Sequence, residues 1–155
     1  MKVLMCTDGS KFSEEAVEFG GKLMKRLKPK AVTILRVVPV MPEEYREVDE
    51  YARVFEEEIH KMHMLDVPKS VKRSLDAGQK ILEKMGIKAK LKVRKGRPVD
   101  EILKEAQEGL YNLLVMASYG RGITKFMLGS VTREVVHRAQ LPVLVVKGKE
   151  ARSMM

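Results

Sequence analysis

The sequence predicts an α/β fold, an open parallel sheet with helices on both faces. Three observations carry this. Five short apolar runs, at 3–6, 31–38, 89–93, 113–117 and 143–146, punctuate the chain. Most are nearly continuous in Val, Ile and Leu, which is how strands covered on both faces read. Amphipathic helical patterns fill the spaces between them, and strict β-α alternation favours parallel strands joined by right-handed crossovers.

The first strand, 3–6, ends at Thr7-Asp8-Gly9-Ser10. A helix follows over 13–27, with Ala16, Phe19, Gly20, Leu23 and Leu27 on one stripe, Ser13 as its cap and Pro29 beyond its end. The second strand, 31–38, closes on Arg36-Val37-Val38-Pro39. Segment 41–66 is an acidic insertion whose stripe Val48, Tyr51, Ala52, Phe55 and Ile59 predicts an amphipathic helix. The next helix spans 70–85 through Val71, Leu75, Gly78, Leu82 and Met85, with Gly86 at its C′ position. The third strand, 89–93, alternates Lys with apolar residues and is placed at a sheet edge. Pro98 opens a helix over 98–110 with Ile102, Leu103 and Ala106 inward. Strand 113–117 leads to a loop and a last helix, 130–139, carrying Val131, Val135, Val136 and Ala139, before the final strand at 143–146. A length of 155 residues suits one domain, here 1–148 with a tail at 149–155.

Composition narrows the function classes. Apolar residues make 45% and charged residues 33%, which excludes a disordered or membrane-bundle chain. The single cysteine excludes an internal disulfide framework, and Cys6, at the end of a buried run, reads as a small core hydrophobe. No apolar stretch approaches the ~18 residues of a membrane span, and no signal peptide is visible, so a cytoplasmic protein without a membrane partner is expected. The net charge of +9 is uneven: residues 41–66 hold nine acids and three bases, while 67–95 hold ten bases and two acids. With aromatics at 5%, no Trp and no helix-turn-helix, zinc-finger or RNA-recognition signature, no nucleic-acid partner is expected.

Ligands of open α/β sheets bind beyond the carboxyl ends of the strands, which directs attention to three loops. Asp8, just past the first strand, places a carboxylate where vicinal hydroxyls such as those of a ribose can donate to it; a turn or capping Asp is its plainer use. The Arg36–Pro39 loop offers backbone to an adenine edge and Val37 to the base. Between the fourth strand and the last helix lie Gly120-Arg121-Gly122, Lys125 and Gly129-Ser130-Val131. Glycines let backbone approach a ligand, and a helix start favours phosphate. No P-loop or G-x-G-x-x-G fingerprint is present.

Together these loops resemble the universal stress protein family. The likeness includes Val-Leu-Met-Cys-Thr-Asp-Gly-Ser at 3–10, Lys-Gly-Arg-Pro-Val-Asp-Glu-Ile-Leu at 95–103 and Leu-Leu-Val-Met-Ala-Ser-Tyr-Gly at 113–120. Leu-Gly-Ser-Val-Thr-Arg-Glu-Val-Val at 128–136 and Leu-Pro-Val-Leu-Val-Val at 141–146 complete it. The resemblance implies a three-layer, Rossmann-like fold of the adenine-nucleotide alpha-hydrolase type, strand order 3-2-1-4-5, dimerising through the last strand. It implies a stress-response protein that binds ATP, with Mg2+ or Mn2+ as a possible companion of the phosphates. Thr7, Asp8 and Val37 would meet adenosine, Met116 and Ala117 would line the cleft, and Gly120, Gly129, Ser130 and Val131 would receive phosphates, with Arg121 adding charge.

Nucleotide-binding members carry Gly-x2-Gly-x9-Gly-Ser/Thr. Here Ala117 stands at the first glycine, and eight residues rather than nine separate Gly120 from Gly129. The departures keep a rival reading open, a dimeric interaction scaffold without nucleotide, and a third, a slow ATPase. No catalytic residue is assigned, because no general base stands near the phosphate loop. His60 and His63, on the acidic insertion, are read as incidental rather than as metal ligands.

Overall fold

The computed structural model describes residues 1–39, 68–119 and 128–149. Five strands, β1 (Lys2–Cys6), β2 (Ala31–Pro39), β3 (Ala89–Gly96), β4 (Leu113–Ala117) and β5 (Val143–Val146), form one parallel sheet in the order β3-β2-β1-β4-β5. Four described helices, α1 (Lys11–Leu27), α2 (Lys69–Glu83), α3 (Pro98–Glu108) and α4 (Ser130–Arg138), alternate with them. The predicted insertion helix at 41–66 lies outside the described residues.

Strand alternation divides the core into two layers. Val3, Met5, Ile34, Val38 and Val115 meet Ala16, Val17 and Met24 of α1 and Val71, Leu75 and Leu82 of α2. On the opposite face Leu4, Leu35, Leu114 and Met116 meet Val99, Ile102 and Ala106 of α3 and Val135 of α4. Gly20 lets α1 lie close to the sheet: a Cβ there would stand 3.1 Å from Met5 and 3.2 Å from Val115. β3 is an edge strand, as its Lys-rich alternation predicts, and runs on to Gly96.

Several local expectations are corrected. α1 begins two residues early, capped by Ser10 rather than Ser13: the Ser10 hydroxyl accepts from the Ser13 N–H at 3.2 Å. Its inward stripe includes Val17, Gly21 and Met24, whereas Phe19 and Leu27 are exposed. Val136 of α4 is also exposed. In each case the helix turns slightly differently against the sheet from what apolar identity alone suggests. α3 stops at Glu108 because Leu110 turns into the left-handed region, φ 52°. Tyr111 N–H then donates to Ala106 O and Leu110 N–H to Gln107 O, closing a Schellman-type end.

Candidate functional site

β1 is the shortest route to the site, because it stops where its neighbour β2 continues. Thr7 N–H donates to Leu35 O at 3.0 Å, the last rung between them. N–H and C=O of one strand residue point to the same side, so those of Val37, two residues on, are directed past the end of β1. β4 ends level with β1, and α4 starts beyond it. These ends enclose a cleft of about 370 Å³ at the carboxyl edge of the sheet. Thr7, Asp8, Val37, Met116, Ala117, Gly129, Ser130 and Val131 all line it. The structure therefore brings together eight of the ten residues singled out from the sequence. Gly120 and Arg121, with Gly122 and Lys125, lie outside the described residues.

The Thr7–Ser13 turn is cross-braced from within. Asp8 Oδ1 accepts from Ser10 N–H at 2.9 Å, and Gly9 N–H donates to Thr7 Oγ1 at 3.2 Å. Ser13 Oγ donates to Ser10 O at 2.8 Å and lies 3.0 Å from Thr7 Oγ1. Gly9 takes φ 80°, a left-handed conformation that suits glycine. Burial pushes the Asp8 carboxyl upward, but the hydrogen bonds from Ser10 and Ser13, together with the Arg36 charge, outweigh it and hold it below its ordinary value. Asp8 is thus an ionised acceptor at neutral pH. One of its oxygens is fixed by Ser10.

The opposite wall is the start of α4. Its N-cap is Gly129, and no side chain caps it among the described residues. The N–H groups at 130–132 therefore suit an anion, aided by the positive end of the helix dipole. Ser130 is the first helical residue, not the cap, and its hydroxyl is exposed.

The described residues on either side of the departures from the nucleotide-binding pattern have defined conformations and partners. Ala117 is the last residue of β4 and is absent from the residues with positive φ, so its position needs no glycine conformation. The two ends of the shortened loop are pinned together: Gly129 N–H donates to Ser118 O at 2.8 Å, and Thr132 Oγ1 donates to Ala117 O at 2.8 Å. These two bonds tie Gly129 and the α4 start to the end of β4. Ser118 N–H in turn donates to Val146 O at 2.9 Å, and Tyr119 packs against Phe12 with ring centroids 4.4 Å apart and ring planes tilted by 54°.

The chain matches the model described as "Universal stress protein family" over residues 1–147. The chain belongs to the universal stress protein family. It is 29% identical to universal stress protein MJ0577 of Methanocaldococcus jannaschii, with 97% of this chain and 96% of that one covered. A second relative from that organism, universal stress protein MJ0531, is 31% identical, with 94% and 81% covered. Among solved structures, a universal stress protein in complex with cAMP superposes with a TM-score of 0.67 at 26% identity, covering 94% of this chain and 96% of that one. The sheet order 3-2-1-4-5 agrees with the family resemblance.

Sequence reasoning missed several cleft residues. Cys6, Ser13, Pro98, Ile102, Tyr119 and Thr132 also line it, beside Arg36 and Pro39 of the predicted second-strand loop. Pro98 was within reach of the strand-end rule, since it follows β3. Cys6 ends β1 at the cleft floor instead of being wholly enclosed, and desolvation, then the Glu105 charge, pushes its thiol up to about 12, so it stays protonated.

Proposed function

We propose that this universal stress protein binds ATP in the cleft at the carboxyl edge of the sheet. One observation carries the reading: an ionised carboxylate, a strand-end backbone edge and an uncapped helix start converge on a single cleft. Asp8 accepts from the ribose hydroxyls, Val37 offers backbone to the adenine edge, and Met116 and Ala117 form apolar wall. The N–H groups at the α4 start, with Gly120 and Arg121, receive phosphates. The relative crystallised with cAMP supports an adenine nucleotide as the ligand class. No group of three His, Cys, Asp or Glu able to hold a metal exists among the described residues. A divalent ion would accompany the phosphates.

The role is that of a stress-response sensor or binding module. Asp8 is the only carboxylate among the described lining residues and is engaged by Ser10, so none of the described lining residues stands ready to activate water. The protein acts in the cytoplasm as a homodimer through β5, whose outer edge is unpaired among the described strands. No described helix is long and apolar enough to cross a membrane. Calorimetric titration with ATP tests the proposal. Heat that saturates, and that weakens in Asp8→Ala, is expected; no binding at millimolar ATP, or an unchanged affinity in Asp8→Ala, refutes it.

A further inference from the structure

The amino edge of the sheet, opposite the cleft, has an unusual surface. The turns that enter β3, β2, β1 and β4 lie side by side there in the strand order. Lys30 N–H donates to Met1 O at 2.8 Å and Asn112 N–H to Lys2 O at 2.8 Å, which ties the entries of β2 and β4 to the start of β1. Three large apolar side chains project from this edge: Leu110 is 76% exposed, Leu27 51% and Met1 47%. Around them stand Lys25, Arg26, Lys28, Lys30, Lys84 and Lys88. None of these cations forms an ion pair among the described residues. Glu83 is the one carboxylate in segments 25–30 and 83–88. Glu108, beside Leu110 in sequence, is already held by Arg94 at 3.0 Å.

Backbone strain sits at the same place. The described residues include two non-glycine positions with positive φ, Lys28 at 48° and Leu110 at 52°, and both are on this edge. Each ends a helix at a position where glycine is the least strained choice. The chain thus holds a cation and a bulky apolar side chain outward at a conformational cost that glycine would avoid.

We propose that this edge docks on an anionic lipid surface, with Leu110 and Leu27 entering the headgroup layer and the ring of cations meeting lipid phosphates. A spanning helix is unnecessary for such contact. The geometry selects this occupant. A bound peptide needs a groove or a free strand edge; the tips of turns at strand ends offer neither. A second copy presenting the same edge would set six cations against six. A bilayer requires only protruding apolar groups and positive charge.

Vesicle flotation of the full chain tests it at about 50 mM salt, with phosphatidylglycerol mixed into phosphatidylcholine, against phosphatidylcholine alone. Binding to the anionic vesicles only is expected, weakening as salt screens the cations. Leu110→Gly should weaken it about threefold to tenfold. Lys25→Ala, Arg26→Ala and Lys28→Gly together should weaken it about a hundredfold, at about fivefold per cation. Because Leu110→Gly and Lys28→Gly relieve strain, their melting temperatures should hold or rise, which separates lost docking from lost folding. Equal binding to neutral vesicles, no binding to anionic ones, or wild-type binding by Leu110→Gly overturns the proposal. So does a soluble acidic partner: were a synthetic peptide of 41–66 captured in place of vesicles and lost in Leu110→Gly, the edge would be a protein-docking surface.

Discussion

Replacing Asp8 with Asn separates the ligand role of this residue from its structural one. Asp8 Oδ1 holds the Ser10 N–H at 2.9 Å, and an Asn side-chain oxygen keeps that bond. The second oxygen, which in the proposed complex accepts from ribose hydroxyls, becomes an NH2 group that cannot accept. Each charge-assisted hydrogen bond contributes roughly 1.5–3 kcal/mol, so loss of one to a ribose hydroxyl weakens ATP binding about 10- to 100-fold. The melting temperature should change by less than ~3 °C, since the turn keeps its brace. Titration calorimetry at pH 7.5 reads the affinity and differential scanning fluorimetry the stability. The folded carboxyl titrates below its ordinary value, so wild-type affinity should show no Asp8-linked change between about pH 6 and 8. An Asp8→Asn protein that binds ATP like wild type would refute the assignment of Asp8 to the ribose.

Further outcomes follow from the same geometry. Ala117→Gly should leave ATP affinity within about twofold, because β4 already ends in strand conformation there; a large gain measured by titration would show that the Ala117 methyl obstructs the phosphates. Thr132→Val removes the bond to Ala117 O from a side chain 5% exposed, costing about 1–2 kcal/mol in chemical denaturation and loosening α4 against β4. Glu105 is buried against Lys92 at 2.7 Å and Arg94 at 2.8 Å. Desolvation raises its carboxyl, but these cations prevail and lower it, so its stabilisation is present at neutral pH and lost as pH falls through the folded value below about 4.5. Glu105→Gln should destabilise by about 2–3 kcal/mol at pH 7 and by much less near pH 3; an equal loss at both pH values would contradict the charge account.

The alternation of apolar runs and amphipathic stripes determined the layering, since burial on both faces leaves β1, β2 and β4 almost wholly apolar at core positions, Thr33 of β2 being the buried polar exception. It also located the crevice, because parallel strands put every carboxyl end on one side. Local helix details were less legible. Ser10 and Ser13 are both competent caps, and the choice depended on how Thr7 and Ser13 brace each other across the turn. Phe19 and Leu27 look like core residues in the sequence, yet α1 presents Val17, Gly21 and Met24 instead, because glycines permit the closer approach. That Thr7, Asp8, Val37, Gly129 and Ser130 share one cleft was legible from their strand-end positions and the family likeness. Ser13, Pro98 and Thr132 were not so legible, for their place in the cleft follows from which helix turn faces it. The eight-residue spacing before Gly129 was ambiguous as a string of letters. The tertiary structure adds that Gly129 is held against Ser118, at the end of β4, by a hydrogen bond that no spacing rule predicts. In the same way, the basic composition was visible at once. Its gathering with Leu27 and Leu110 on one edge required strand order, which brings together turns some 80 residues apart in the chain.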